Sequence, residues 1–300
     1  MATHIPVLLK ETIAGLNLND GDTALDATLG GGGHSEALCA RIGGTGTFIG
    51  MDADEDAVLR AKEKLASCKA RIILETANFR TLSAVLDKHR IKAINAALFD
   101  LGMSSFQLEE SNRGFSFQRN EPLMMTFEKK ASADATTAYD IINRWEEDSI
   151  EAVLSGYGEE RFARKIAWAV ILARKEKPIR TTDELVAVIK GAVPEWYCHK
   201  RLHCATKTFQ ALRIAVNDEF GALKEALAEC FARLAPLGRM AVISFHSAED
   251  RIVKLFFREQ KLSGQAVLIS KKPIQPSRIE QKENPRARSA QLRILEKTEQ

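Results

Sequence analysis

The stretch Thr23-Ala24-Leu25-Asp26-Ala27-Thr28-Leu29-Gly30-Gly31-Gly32-Gly33-His34-Ser35 decides the fold. Thr23 to Leu29 is a short apolar run that predicts a buried strand. Four glycines break it, and Ser35-Glu36-Ala37-Leu38 resumes with helix-forming composition. Glycine at such a turn permits positive φ and lets the main chain come close to a ligand, while the helix start offers unpaired N–H groups. The pattern predicts a nucleotide-like guest.

Working outward, Thr47-Phe48-Ile49-Gly50-Met51-Asp52 reads as the next strand. Its terminal acid follows the glycines at the spacing, roughly 20 residues, at which a carboxylate accepts hydrogen bonds from both ribose hydroxyls. A nicotinamide fingerprint requires Gly-x-Gly-x-x-Gly, and Ser35 stands where its third glycine would be. Asp26-x-Thr28-x-Gly30-x-Gly32 fits an S-adenosylmethionine loop better.

The same alternation continues. Asp54 to Ser67 predicts a helix, Ala70 to Thr76 a strand ending near Phe79, Thr81 to His89 a helix, and Ile94 to Leu101 a fourth strand. Strands separated by helices predict an α/β fold with a parallel sheet covered on both faces and ligands at the carboxyl ends of its strands. The glycine loop, Asp52, Phe79 and Asp100 would share that rim. From Gln107 to about Cys204 no buried strand is evident. Ser149 to Leu154, Glu159 to Arg174 and Asp183 to Ile189 instead have helical periodicity, which predicts a helical insertion. Thr208 to Leu234 reads as one long helix, Arg239 to Phe245 as a strand, and Ala248 to Gln260 as a helix. Ala266 to Ser270 and Gln291 to Glu296 are further strand candidates.

Three hundred residues, 45% of them hydrophobic, suit one large domain with an insert or two domains. A net charge of +3 leaves any nucleic-acid surface to local clustering. Five scattered cysteines predict free thiols in a reducing compartment. Residues Met1 to Glu11 contain no long apolar run, so the expectation is a cytoplasmic protein without signal peptide or membrane span.

Asp100-Leu101-Gly102-Met103-Ser104-Ser105 closes the fourth strand, where a carboxylate orients an amine and takes up its leaving proton, and hydroxyls bond a base edge. The same tripeptide is also an ordinary strand ending. Phe245-His246-Ser247-Ala248-Glu249-Asp250-Arg251 follows the later strand. Ser247 suits the cap of the next helix, with acids in its first turn, and His246 is left over as a second catalytic candidate. Cys198-His199-x-x-x-His203-Cys204 has zinc-type ligands but lacks a distant partner pair, so no metal is expected. Basic residues gather from His199 to Arg213 and from Lys271 to Arg293. With Phe115, Phe117, Trp196 and Tyr197 in the insert, they suggest phosphate contacts and a stacked base.

Taken together, the residues resemble the bacterial family of ribosomal RNA small subunit methyltransferase H. The resemblance spans nearly the whole chain: His4-Ile5-Pro6-Val7-Leu8-Leu9, Asp26 through Ser35, Asp100 through Leu108, Arg113-Gly114-Phe115-Ser116-Phe117, Tyr157-Gly158-Glu159-Glu160-Arg161, Ala205 through Arg213, Ser244 through Lys254 and Asn284 through Ser289. It implies a Rossmann-like class I S-adenosylmethionine-dependent methyltransferase with a helical insertion domain. The methyltransferase domain would occupy residues 1–108 and 205–300, and the substrate-recognition insert 109–204. S-adenosylmethionine would be held by Gly32, Gly33, His34, Asp52, Phe79, Asp100 and Gln107. Asp100 with Ser104 and Ser105 would orient the acceptor, with His246 the second choice. The implied product is N4-methylcytidine in the decoding centre of 16S rRNA, the implied partner the small ribosomal subunit, with room for a homodimer. Where the family carries Asp-Gly-Pro-Leu-Asp-Met-Arg-Met-Asp, this chain has Asn120-Glu121-Pro122-Leu123-Met124-Met125-Thr126-Phe127-Glu128. Cys204, Lys207 and Ala248 replace a usual proline, arginine and leucine.

Overall fold

The protein is described by a computed structural model covering residues 5–109, 111–129 and 135–299; His4, the first mark of the resemblance, lies outside them. The chain forms two compact units, Met1–Ser104 with Phe220–Gln300, and Ser105–Glu219.

The first unit is built on seven strands: β1 (Thr23–Asp26), β2 (Thr47–Asp52), β3 (Arg71–Thr76), β4 (Ile94–Asp100), β5 (Leu234–Ser244), β6 (Ala266–Leu268) and β7 (Gln291–Lys297). They lie in the order β3-β2-β1-β4-β5-β7-β6. The first five pair in parallel and β7 runs antiparallel to both neighbours. Chain order reverses between β1 and β4, and at such a switch point the carboxyl ends of the strands open a crevice.

Alternation along the strands divides the apolar residues between two faces. Leu25, Ala27, Ile49 and Met51 pack on one side, with α4 (Leu82–Lys88), α12 (Glu219–Arg233) and α13 (Ser247–Leu262) supplying Leu86, Leu227 and Phe257. Ala24, Phe48, Ala96 and Leu98 pack on the other, against Leu16 of α1 (Leu9–Leu16), Leu38 and Ile42 of α2 (Gly33–Ile42) and Ala61 of α3 (Glu55–Lys64). The sheet is therefore covered on both faces, and α14 (Arg278–Glu283) leads back toward β7.

The second unit contains α5 (Ser105–Glu109), α6 (Ala138–Arg144), α7 (Glu147–Gly158), α8 (Ala163–Glu176), α9 (Thr182–Ala192), α10 (Glu195–Cys198) and α11 (Thr206–Asn217). Among its described residues the only β pairing is an isolated bridge between Pro122 and Thr181. Helix starts here are chemically marked: Thr137 with Asp140 and Thr181 with Glu184 form reciprocal capping boxes.

Two expectations are corrected. The long helix over Thr208 to Leu234 is two helices, because Asp218 adopts a left-handed conformation with φ 44°. Asn217 then turns its side chain onto the Met125 and Arg213 carbonyls instead of solvent. The contact pattern itself places α11 in the helical unit, which runs from Ser105 to Glu219. Finally, β1 ends at Asp26, with Ala27 to Leu29 continuing as a loop tied to neighbouring strands by Ala27 N–H to Leu98 O and Leu29 N–H to Met51 O.

Candidate active site

The glycine loop is shaped by its φ angles: Gly30 at 48° and Gly32 at 70° occupy the left-handed region, where a side chain is strained. Gly33 is required for a different reason, since a Cβ there would sit 2.2 Å from Pro6 Cγ. At Gly30, in contrast, a Cβ would make only ordinary contacts, 3.8 Å from the Thr28 carbonyl oxygen and 3.9 Å from Ser104 Cβ.

Asp52 braces the loop from the end of β2. Its Oδ2 accepts the Gly30 N–H at 2.9 Å and its Oδ1 the Asp54 N–H at 2.9 Å. A carboxylate has about four lone-pair sites, so one on each oxygen remains for a ligand. Burial pushes the Asp52 carboxyl from its ordinary 3.8 up to about 6, against the two amide donors, which lower it. Beside it, Phe79 follows β3, held near the β2 end by the Ala77 N–H to Asp52 O bond and packed edge-on against Phe99 at 6.0 Å.

Asp100 ends β4. Its N–H donates to Thr28 Oγ1 at 2.7 Å, and its Oδ2 lies 3.4 Å from His34 Nδ1. Its Oδ1 is buried with no hydrogen-bond partner among the described residues. His34 is itself 5% exposed, and its Nε2 lies 2.9 Å from the Val7 carbonyl. Both ring nitrogens thus face acceptors, an arrangement that suits imidazolium. Burial opposes that charge, but the Asp100 and Asp26 carboxylates outweigh it and raise His34 above its ordinary value.

Asp26 and Thr28, read in the sequence only as part of the loop pattern, prove to be the connecting residues. Asp26 is 1% exposed and receives the Ser35 hydroxyl at 2.7 Å and the Thr28 N–H at 3.1 Å. Burial raises its carboxyl, and the Asp100 charge adds to the rise. The spacing Asp-x-Thr-x-Gly and the serine at position 35 were the available signal. β1, β2 and β4 therefore deliver three mutually sensitive acids and one histidine to the same rim.

Ser104 lies on the loop side, its Cβ 3.9 Å from where a Gly30 Cβ would be. Ser105 opens α5, and its side chain lies outside the described set. Gln107 is buried in the second unit, where its carbonyl accepts the Ser111 hydroxyl at 2.6 Å. On the neighbouring strand, Leu101 N–H donates to Ile243 O, and the Phe245 ring lies 3.4 Å from a Cβ built on Gly102, which brings the segment after β5 beside the segment after β4.

His246, not Ser247, caps α13: its Nδ1 accepts the Glu249 N–H at 3.3 Å, and its Nε2 lies 3.0 Å from Glu249 Oε1. An imidazole can cap as an acceptor, so the extended residue just before the helix takes the role. Buried Glu249 returns a bond by accepting the Phe245 N–H at 2.9 Å. The expected basic and aromatic surface also needs sorting. Arg293 is committed to Asp250 and Arg213 to Glu219, each through two hydrogen bonds. Phe115 is buried against Phe127, and Tyr197 is buried with its hydroxyl on Glu160, so neither ring is free to stack a base. The Asn120 to Glu128 stretch is knit into its unit, with Glu121 accepting the Gly114 N–H at 2.8 Å and donating its own N–H to Thr182 Oγ1 at 3.0 Å.

Known proteins match this chain over nearly its whole length. The family model described as the MraW methylase family matches residues 1–298. Proteins named ribosomal RNA small subunit methyltransferase H are 41% identical in Brevibacillus brevis, with 98% of each chain covered, and 43% identical in Persephonella marina, with 99% of this chain and all of that one covered. One from a Paenibacillus species is 42% identical over 99% of this chain and all of its own.

Proposed function

The chain belongs to the MraW methylase family, and from that premise we propose that it transfers a methyl group from S-adenosylmethionine to the exocyclic N4 of a cytidine in the decoding centre of small-subunit ribosomal RNA, in the cytoplasm. The observation that most supports the site is the pair of unspent acceptors on one rim: the free lone pairs of Asp52 beside the Gly30 turn, and the unpartnered Oδ1 of Asp100. These fit the adenosyl group and its sulfonium, one offering a carboxylate to vicinal hydroxyls, the other negative charge where a cation would lie.

In this reading Asp52, Gly32, Gly33 and Phe79 hold the nucleoside portion, and His34 sets the orientation of Asp100. When bound, the cofactor supplies an electrophilic methyl carbon on sulfur. The rest falls to the protein, because a cytosine amine shares its lone pair with the ring and is a poor nucleophile. Asp100 Oδ1 and the Ser104 hydroxyl accept hydrogen bonds from the two N4 protons, so that the lone pair localises on nitrogen as transfer proceeds. The proton lost from N4 passes to the Asp100 carboxylate and then to solvent. His246 has a positioning part, fixing the Phe245 segment beside Gly102 through Glu249. The target base must leave its stack to reach the rim, and the helical unit, with Gln107 at its start, is the part proposed to recognise the RNA.

The test is incubation of the purified chain with labelled S-adenosylmethionine and isolated small ribosomal subunits. Label in ribosomal RNA is expected. Cofactor binding without incorporation would replace the proposal by an assembly factor that keeps the fold, and label confined to DNA or protein would refute it.

A further inference from the structure

We propose that the exposed cluster formed by Trp196, Phe162, Arg161, Lys165 and Lys200 in the second unit is a contact surface for a single-stranded segment of RNA; this rests on the RNA-methylating reading above. Trp196, on the short helix α10, is 49% exposed. Beneath it the aromatic support is fixed. Phe162 meets Trp196 edge-on at 6.0 Å and Tyr197 at 4.9 Å, and the Tyr197 hydroxyl is held by both oxygens of buried Glu160 at 3.0 Å.

Cations surround these rings. Lys200 Nζ lies 4.8 Å from the Trp196 ring centre, Arg161 Cζ 5.7 Å from it, and Lys165 Nζ 5.8 Å from that of Phe162. Arg161, Lys165 and Lys200 have no carboxylate partner among the described residues. The acids close in sequence are engaged, Glu195 lying 3.5 Å from His199 and Glu160 facing Tyr197. A second exposed indole, Trp168 at 56%, stands three residues along α8 from Lys165, on the same helical face.

An exposed cation over an indole is a weak contact that water competes with. A nucleobase stacking on the same ring gains more, and a cation it displaces is free to meet a phosphate. An acidic protein would use the cations and leave the indole in water; an apolar helix would cover the indole and strand three cations. A polyanion carrying planar bases satisfies both, and single strands are the form in which bases stand clear to stack.

The experiment measures binding of a fluorescent single-stranded RNA oligonucleotide to the full chain by anisotropy across a salt series. Trp196→Ala is expected to weaken binding about tenfold, Trp196→Phe to restore most of it, and cofactor affinity to stay unchanged in both. Replacing Arg161, Lys165 and Lys200 together by Gln is expected to flatten the slope of log Kd against log salt by about 2, at roughly 0.7 per lost phosphate contact. Variants that bind the oligonucleotide with wild-type affinity and slope would overturn the surface while leaving the methylation reading standing. Displacement of RNA by polyglutamate from wild type and Trp196→Ala alike would reassign the surface to acidic proteins and overturn it too. A wild-type chain that binds no oligonucleotide would overturn the surface, while the methylation reading still stands or falls on the subunit assay.

Discussion

Cofactor affinity should depend on pH through Asp52. The acid is the group proposed to accept both ribose hydroxyls, and only its ionised form offers both oxygens as acceptors. In the free protein burial places its titration at about 6. The sign follows: ligand hydrogen bonds favour the carboxylate, so binding lowers this value and affinity rises with pH until the free protein is ionised. With a midpoint near 6, about one molecule in eleven is ionised at pH 5 and about ten in eleven at pH 7. S-adenosylmethionine should therefore bind about tenfold more weakly at pH 5 than at pH 8, with little change above pH 7. Asp52→Asn keeps the size of the side chain and removes the charge. Loss of a hydrogen bond to a charged group costs about 1.5–3 kcal/mol, so the variant should bind roughly 10- to 150-fold more weakly at pH 8, with the step near pH 6 gone. Isothermal titration of both proteins from pH 5 to 8 supplies the comparison, and His34 and Asp26, which remain in the variant, are thereby controlled. A wild-type affinity flat over this range, or a variant that keeps the step, would refute the ribose assignment.

Gly33→Ala should lower stability by about 1–3 kcal/mol in denaturant melts, since the added Cβ meets Pro6 Cγ at 2.2 Å. Wild-type stability would mean that the Pro6 segment yields freely. Ser35→Ala removes the hydroxyl donor of buried Asp26 and should cost about 1–3 kcal/mol. The loss should grow as pH rises, because the ionised acid is the form that misses the donor; a loss that shrinks as pH rises would contradict that reading. Asp100→Asn should reduce kcat by more than tenfold in single-turnover methyl transfer, a larger effect than on cofactor Kd. Equal losses in both would limit Asp100 to cofactor binding.

Much of this arrangement is readable from sequence for a local reason. Buried parallel strands are continuous apolar runs, so Thr47 to Asp52 stands out between polar neighbours, and its acid is simply the last residue of the run. The break at Asp218 is invisible by the same logic, because helix-forming composition continues through it and only a left-handed φ with the Asn217 side-chain bonds interrupts the helix. His246 and Ser247 are both able to cap, and the choice depends on where the strand releases the chain. Burial of Phe115 and Tyr197, and the commitment of Arg213 and Arg293 to carboxylates, depend on partners distant in sequence or on packing that composition does not encode. So does the bond from Asp100 N–H to Thr28, residues 72 positions apart, which joins two halves of the rim.

The most direct measurement is mass-spectrometric mapping of small-subunit RNA after reaction with the purified chain and isotopically labelled S-adenosylmethionine. The account predicts one added methyl group on N4 of a single decoding-centre cytidine, formed more than tenfold more slowly when Asp100→Asn replaces the wild type. A methyl group on a ring carbon, on a ribose or on another nucleotide would contradict it.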